Sequence, residues 1–281
     1  MRKLEIPCAY QGGKARIATD IVNIILKGNK INEYTKFYDL CCGSGAISIE
    51  LVKRGISPEN IVMVDKSPWG LFWQKIGSGE FNNDVFRIYI DDIPKDITKI
   101  KDYAKFLLSQ PANDGTFDNL VYKFLILQAC AFGSTATWVE NNQWKKAGGL
   151  RNYWIPTATS SRKSPVNPMM PMPETLYKRV EMISSKMEGI NGLCENVNEI
   201  EIEKDSIIYI DPPYEGTAHY GYNLDYRAFI EKHRDYTIYL SEGKRLSECS
   251  CLISGARKKG GINGERKSAN EEWLNIFSKV V

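Results

Sequence analysis

The chain has 281 residues, of which 43% are hydrophobic and 25% are charged, and its formal net charge is +3 at pH 7. This composition is ordinary for a globular protein and excludes a chain that is disordered throughout. No segment approaches the roughly 18 consecutive apolar residues of a membrane-spanning helix, and the N-terminal residues lack the apolar core of a secretion signal. The seven cysteines do not form the framework of a small disulfide-rich domain, which favours reduced thiols and a cytoplasmic location.

The N-terminal part of the chain alternates between helical and strand patterns. Apolar residues recur at helical spacing over 19–26, and a short apolar strand at 36–42 runs into a glycine turn. A helix is predicted at 46–54, and a second strand, which ends in an acid, at 60–65. A strand, a glycine turn, a helix and a strand in this order form a βαβ unit, which builds a parallel sheet.

The middle of the chain has a different character. Helical patterns at 97–109, 120–132 and 174–187 surround a stretch at 133–173 that is rich in Gly, Pro, Asn, Ser and Trp and has little periodicity. A loop-rich stretch of this length inside a compact domain usually serves a function. We therefore predict a mostly helical, loop-rich insert.

The last third of the chain returns to alternating elements. A buried strand at 206–210 is followed by a helix at 226–236, strands at 236–240 and 249–254, and a closing strand or helix at 271–274. The simplest organisation is one α/β domain in two parts with the insert between them. The predicted segments are 1–92 for the first part, 93–189 for the insert and 190–281 for the second part.

The glycine turn has the sequence Asp-Leu-Cys-Cys-Gly-Ser-Gly and begins at Asp39. Glycines directly after a strand let the backbone approach a ligand closely, and the following helix directs its amide groups at that ligand. The turn is not a dinucleotide fingerprint, because Ser48 takes the place of the third glycine, and it lacks the ending of a P-loop. Asp39 suits a cofactor with an amino group, and Asp65 stands where an acid binds ribose hydroxyls. A nucleotide-like ligand is therefore predicted at this edge.

The segment Asp211-Pro212-Pro213-Tyr214 directly follows a buried strand. Two prolines restrict the backbone, so the chain leaves the sheet as a rigid elbow. A carboxylate, a carbonyl outside any helix and an aromatic face together suit a planar ring that bears an amino group. The oxygens accept the amine hydrogens, and the tyrosine stacks on the ring.

These motifs resemble those of the Dam-type (class alpha) DNA adenine methyltransferases, which use S-adenosylmethionine. The glycine turn looks like their cofactor motif, and the segment 211–214 looks like their catalytic motif. The segment 10–14, Tyr-Gln-Gly-Gly-Lys, is similar to their glycine-lysine element, and 193–196 resembles the short acidic motif that contacts the adenine of the cofactor. The order of the motifs along the chain also agrees with that family.

The resemblance implies a Rossmann-like methyltransferase fold with a mostly parallel central sheet and an inserted, mainly helical target-recognition domain. It implies transfer of a methyl group from S-adenosylmethionine to the exocyclic amine of adenine at a specific DNA sequence, with the base flipped out of the duplex and without a metal. The catalytic residues it implies are Asp211, Pro212, Pro213 and Tyr214. The cofactor-binding residues it implies are Tyr10, Gly12, Lys14, Asp39, Cys41, Gly43, Gly45, Asp65, Glu195, Asn196 and Asp211.

The chain departs from the family pattern at two points, and one assignment has an alternative. Gln11 replaces a proline, and Leu40 with Cys41 replaces a Pro-Phe pair, which removes an aromatic side chain beside the cofactor. The apolar run 86–90, followed by two acids, is a possible third strand, and its Asp92 competes with Glu195 for the cofactor adenine. The family order favours Glu195.

Two basic tracts predict contacts with double-stranded DNA. The segments 140–179 and 244–267 each hold seven basic and two acidic residues, enough for one positive face along a phosphate backbone. For either tract alone, an ordinary charged surface is the alternative. Arg151 and Asn152 are the residue types that read base edges. The other predicted nucleic-acid contacts are Lys145, Lys146, Arg257 and Lys258, of which the last two lie in a predicted flexible loop.

Two other functions stay open at this point. An RNA adenine methyltransferase would use the same catalytic motif, although the long insert favours duplex DNA. A catalytically silent nucleic-acid-binding relative would keep the fold, although the intact segment 211–214 argues against it. A restriction partner is likewise an open question.

Overall fold

The computed structural model describes residues 3–113, 119–165, 167, 169–214, 224–255, 258–260, 266–268 and 271–279. Within these residues the helices are α1 Ala18–Gly28, α2 Ala46–Lys53, α3 Pro68–Gly77, α4 Asn83–Asp91, α5 Ile100–Ser109, α6 Leu120–Ala129, α7 Pro173–Met187 and α8 Tyr226–Lys232. The strands are β1 Phe37–Leu40, β2 Ile61–Val64, β3 Thr137–Glu140, β4 Gln143–Lys146, β5 Asn191–Leu193, β6 Ile207–Ile210, β7 Thr237–Glu242, β8 Cys249–Ser254, β9 Lys258–Gly260, β10 Arg266–Ser268 and β11 Glu272–Phe277. No described helix combines the length and apolar character needed to span a bilayer.

A seven-stranded sheet in the described part of the chain has the order β5-β2-β1-β6-β7-β11-β8. The first five strands in this order are parallel, and β11 is antiparallel to both of its neighbours. Leu40 pairs with Val64 on one side and with Ile210 on the other. The strands β2, β1 and β6 therefore end level at one edge, and ligands bind at such edges. The predicted Rossmann-like fold with a mostly parallel sheet is confirmed.

Helices cover both faces of the sheet, and the strand residues alternate between two hydrophobic clusters. Phe37, Met63 and Tyr209 pack in the larger cluster with residues of α1 to α7. Leu40 and Ile210 pack in the smaller cluster with residues of α8. Burial on both faces explains why β2 and β6 are continuous apolar runs and do not alternate with polar residues.

The insert shares its core with the sheet. Helix α6 is buried from Val121 to Ala129 and contacts α3 and α5, while α7 contacts α2, α3 and α4. The buried side chains of α5, α6 and α7 belong to the same cluster as the larger face of the sheet. The division of the chain at 93 and 189 therefore stays a prediction about function, because the packing of these helices is continuous with that of the sheet.

Within 133–173, the prediction of a loop is wrong for the hairpin β3–β4. Glu140 pairs with Gln143, so Asn141 and Asn142 form the two-residue connection. Their φ angles are 51° and 59°, as a type I′ turn requires at both central positions. Asparagine tolerates this left-handed conformation better than most residues, so the Asn-Asn pair was the signal for a hairpin.

The possible third strand at 86–90 is wrong, because this segment lies in helix α4. The side chain of Asn82 caps the helix and accepts hydrogen bonds from the amides of Asp84 and Val85. Phe86 and Ile90, four residues apart, are the buried side chains of α4. This spacing is helical. The third strand of the predicted type is β5, which pairs with β2.

The C-terminal basic segment contains strands. Backbone pairing of β9 with β10 is antiparallel, with Lys259 opposite Lys267, so the prediction of a flexible loop is wrong for 258–260. Arg257 lies outside the described residues. The closing element at 271–274 is a strand, since β11 inserts between β7 and β8.

Candidate active site

The glycine turn and the segment 211–214 leave the sheet side by side. Their strands, β1 and β6, are neighbours, and the amide of Asp211 donates to the carbonyl of Leu40 at 3.1 Å. A cleft of about 570 Å³ lies at this edge, within the roughly 300–1,000 Å³ of small-molecule sites. The predicted site residues that line it are Tyr10, Gly12, Lys14, Asp39, Cys41, Gly43, Asp65, Asn196, Asp211, Pro212, Pro213 and Tyr214.

The two glycines of the turn are required by close packing. Gly43 and Gly45 have φ angles of 48° and 75°. A Cβ atom on Gly45 would lie 2.2 Å from Cζ2 of Trp73, and one on Gly43 would lie 2.9 Å from Cδ1 of Tyr10. Nε1 of Trp73 donates to the carbonyl of Gly43 at 2.8 Å. Gly45 does not line the cleft; it packs against the side chains of Trp73 and Met63.

Two carboxylates at the strand ends hold this turn. Asp65 accepts from the amide of Gly43 and from the amide of Ser67, each at 2.8 Å. Asp39 accepts from Oγ of Ser48 at 2.6 Å and from its amide at 3.2 Å. Burial raises the pKa of Asp65, and it raises the pKa of Asp39 to about 7. Both acids line the cleft while one or both of their oxygens join the turn to neighbouring elements.

The carboxylate of Asp211 is paired with Lys14. Nζ of Lys14 lies 2.6 Å from Oδ1 of Asp211 and donates to the carbonyl of Gly12 at 2.9 Å. The second oxygen of Asp211 has no hydrogen-bond donor among the described residues. The pKa of Asp211 is raised to about 6, mainly by burial. This value includes a lowering by Lys14 and a raising by Glu272. Asp211 therefore directs one carboxylate oxygen to a cation within the cleft.

Residues 10–243 match the family model of D12 class N6 adenine-specific DNA methyltransferases. The chain belongs to this family. The match confirms the resemblance to adenine methyltransferases that the motifs indicated, and the protein is an adenine-specific DNA methyltransferase. No curated protein matches the chain.

Sequence reasoning missed Glu272 in the site of this methyltransferase. It lies on β11, lines the cleft and accepts a hydrogen bond from the hydroxyl of Tyr214. Its carboxylate also lies 3.7 Å from Nζ of Lys14. The acids at positions 271 and 272 are a weak signal in the sequence, because only the sheet order places β11 beside β7.

Phe132 is a second residue that sequence reasoning missed. It is 51% exposed and begins a short 3₁₀ turn, Phe132–Ser134. The carbonyl of Ser134 accepts from the amide of Gln11 at 2.7 Å, and Gln11 lines the cleft. The backbone of this turn is thus joined to the wall of the cleft through Ser134 and Gln11.

Of the two acids that competed for the cofactor adenine, neither lines the cleft. Glu195 is exposed just beyond β5, whereas the next residue, Asn196, lines the cleft. Asp92 is exposed at the C-terminal end of α4. The role predicted for Asp92 required a strand at 86–90 that ends at the cleft. This segment is helix α4, and Asp92 does not line the cleft. Asn196 is therefore the better placed residue of the short acidic motif.

Arg151 is not on the surface, where a base-reading residue would lie. It is 5% exposed, and its guanidinium donates to Oγ of Ser134 at 2.7 Å and to the carbonyl of Met169. The prediction that it reads a base edge is at odds with this position, because the guanidinium is committed to the fold of the insert. Asn152, by contrast, is exposed.

The positions of Lys145, Lys146 and Lys258 neither support nor contradict the predicted contacts with nucleic acid. Lys145 donates to the side chain of Gln143 at 3.3 Å, and Lys146 donates to the carbonyl of Gly148. Both side chains are half-buried on β4. Lys258 lies in β9, where only the backbone is described. Their contacts with nucleic acid stay predictions. In the described part of the chain, no group of His, Cys, Asp and Glu has an arrangement that could hold a metal ion.

The turn gives a first testable prediction. Gly45→Ala is expected to destabilise the protein by about 1–3 kcal/mol more than Gly55→Ala, measured by urea denaturation. Both residues have a positive φ, 75° and 89°, so both variants carry the left-handed cost of roughly 1–2 kcal/mol. A Cβ at Gly55 meets nothing within 4 Å, whereas at Gly45 it collides with Trp73. Equal losses in the two variants would contradict the packing argument.

Proposed function

We propose that this methyltransferase transfers a methyl group from S-adenosylmethionine to the N6 amine of an adenine that is flipped out of double-stranded DNA at a specific sequence. The observation that carries the proposal is the shared cleft. The glycine turn after β1 and Asp211 after β6 face one space of about 570 Å³, so a donor and an acceptor base can meet there.

The residues of the cleft fit the cofactor. Asp65 is an acid at the end of β2, where ribose hydroxyls are bound in related sheets. Asn196 supplies amide hydrogen-bonding groups, and the ring of Tyr10 packs edge-on against Trp69 at a centroid distance of 5.7 Å. Asp39 offers a buried carboxylate on the same wall. When bound, the sulfonium group supplies an already activated methyl group.

The segment 211–214 fits the acceptor base. The amine of adenine is a poor nucleophile because its lone pair is delocalised into the ring. The carboxylate of Asp211 and the carbonyl of Pro212 accept the two amine hydrogens, which localises the lone pair on nitrogen. The proton that the amine loses on methylation leaves to solvent by way of Asp211. Tyr214 stacks on the ring and holds it in place. Catalysis by these residues is mainly alignment and electrostatic stabilisation.

Base flipping follows from the position of these groups in a cleft. An adenine amine within a stacked duplex cannot reach Asp211, so the base must leave the stack. Phe132 is an exposed aromatic side chain of the type that fills a gap in a base stack, and its turn is bonded to the cleft residue Gln11 through Ser134. Basic residues of the insert and of the segment 258–267 supply phosphate contacts, which position the duplex.

A tritium-transfer assay tests this proposal. Labelled S-adenosylmethionine is incubated with the enzyme and either duplex DNA or structured RNA, and sequencing of DNA from an expressing host locates modified adenines. We expect label in duplex DNA and modification at one short sequence. Label in RNA alone would establish the RNA methyltransferase instead. Absence of both transfer and cofactor binding by calorimetry would leave the catalytically silent relative.

A further inference from the structure

Glu272 lies on β11, outside the residues that match the family. Its side chain is 17% exposed and lines the cleft. Oε1 accepts a hydrogen bond from the hydroxyl of Tyr214, and the same oxygen lies 3.7 Å from Nζ of Lys14. The carboxylate therefore contacts both residues that flank Asp211 in the cleft.

These contacts restrain the ring of Tyr214. Nζ of Lys14 lies 4.9 Å from the ring centroid, and the hydroxyl at the far end of the ring is bound to Glu272. A ring that stacks on a base has to keep its plane, and a hydrogen bond at its far end limits rotation about the side-chain torsions. Glu272 thus fixes the orientation of the stacking surface.

Lys14 lies between two carboxylates. Its Nζ is 2.6 Å from Oδ1 of Asp211 and 3.7 Å from Oε1 of Glu272. The buried ammonium group therefore lies between the two acids and closer to Asp211. The second acid also places a negative charge near Asp211, which disfavours the ionised form of that residue.

We propose that Glu272 is a positioning residue for methyl transfer, which anchors the stacking ring of Tyr214 and, by its own negative charge, disfavours the ionised form of Asp211. This inference rests on the function proposed above, since it assigns the ring and the carboxylate to the target adenine. It adds a residue from the C-terminal antiparallel strand to a site otherwise built from the matched part of the chain.

Several charged and titratable groups around Asp211 influence its pKa. The pKa of Asp211 is about 6, which is above the usual value mainly because the carboxyl is buried. Within this net value, Lys14 lowers the pKa and Glu272 and Glu242 raise it. Besides Glu272, the titratable groups of the described residues that interact electrostatically with Asp211 are Lys14, Asp39, Cys41, Tyr209, Tyr214 and Glu242. Loss of the charge of Glu272 removes a repulsion, so the pKa of Asp211 falls.

Two substitutions separate the anchoring role from the charge. Glu272→Gln keeps an oxygen that accepts from Tyr214 but removes the charge, whereas Glu272→Leu removes both. The pKa of Asp211 is about 6, so we expect an acid limb of the kcat/KM profile near that pH. We expect this limb to move down by about 0.5–1 pH unit in both variants. We expect kcat at pH 8 to fall about 3-fold in Glu272→Gln and roughly 10- to 30-fold in Glu272→Leu.

Glu248→Gln is the matched control, because it makes the same change at an exposed acid before β8. It should leave both the limb and kcat at wild-type values. A purely structural role of Glu272 would lower the melting temperature without moving the limb. An unmoved limb together with equal kcat values in Glu272→Gln and Glu272→Leu would overturn the proposal.

A measurement without methyl transfer distinguishes this inference from the proposed function. The ¹³C shift of the Asp211 carboxyl is titrated in protein without donor or DNA, and the signal is assigned with Asp211→Asn. We expect a midpoint near pH 6 in the wild type and a lower one in Glu272→Gln. If the midpoint moves while the wild type methylates neither DNA nor RNA, the proposed function fails and the coupling stands. An active wild type with an unmoved midpoint overturns the coupling.

Discussion

Asp211→Ala is expected to abolish methyl transfer and to leave binding of S-adenosylmethionine in place. The substitution removes a carboxylate that accepts an amine hydrogen of the target base. This hydrogen bond localises the nitrogen lone pair during methyl transfer and is not needed to bind the donor. We expect a loss of at least ~10³-fold in the single-turnover rate, measured with a tritiated donor, and a dissociation constant for the donor within about 3-fold of wild type by calorimetry.

Two further variants make this result specific. Asp211→Asn keeps the shape and one oxygen but loses the charge, so we expect an intermediate loss on the order of 10²-fold. Asp205→Ala changes an exposed acid just before β6, at the opposite end of that strand from Asp211, and should retain wild-type activity. Wild-type turnover by Asp211→Ala would remove Asp211 from the mechanism.

Lys14→Met is expected to make the enzyme nearly inactive at pH 7 and partly active at pH 9. Nζ of Lys14 lies 2.6 Å from Asp211 and 3.7 Å from Glu272. The substitution leaves these two acids in the cleft with no cation between them. Lys14 lowers the pKa of Asp211, so its removal raises that pKa above about 6 and moves the acid limb to higher pH. We expect about a 10²-fold loss of kcat/KM at pH 7.

The pH profile decides between this explanation and a loss of folding. A misfolded variant stays inactive at every pH, whereas a raised carboxyl pKa is overcome as pH increases. The limb should move in the direction opposite to that expected for Glu272→Gln, because one substitution removes a positive charge and the other a negative one. Lys27→Met, at an exposed position near the end of α1, is the matched control. A limb that stays in place would contradict the role of the Lys14–Asp211 pair.

The local features of the site could be predicted from short segments of the chain. The strand before Asp211 is a buried apolar run, and the two prolines restrict the backbone whatever surrounds them. The glycines of the turn are needed for its left-handed φ angles, which few other residues adopt. Motifs of this kind are specified within a few residues, and for that reason they also identified the family and its fold.

The errors arose where local patterns were ambiguous. The run at 86–90 is apolar enough for a strand, and only the cap at Asn82 and the buried pair Phe86 and Ile90 show a helix. Arg151 has the residue type of a base reader, but its guanidinium lies among acceptors of the insert. Residue type does not report burial, which depends on how distant elements pack.

Sequence alone thus determined the family, the parallel sheet, and the turn and elbow that end β1 and β6. The tertiary structure alone decided the partners of the proposed catalytic groups. Lys14 and Asp211 are 197 residues apart, and Tyr214 and Glu272 are 58 apart. Their meeting depends on the strand order β1-β6-β7-β11, which long-range packing sets and no local pattern encodes.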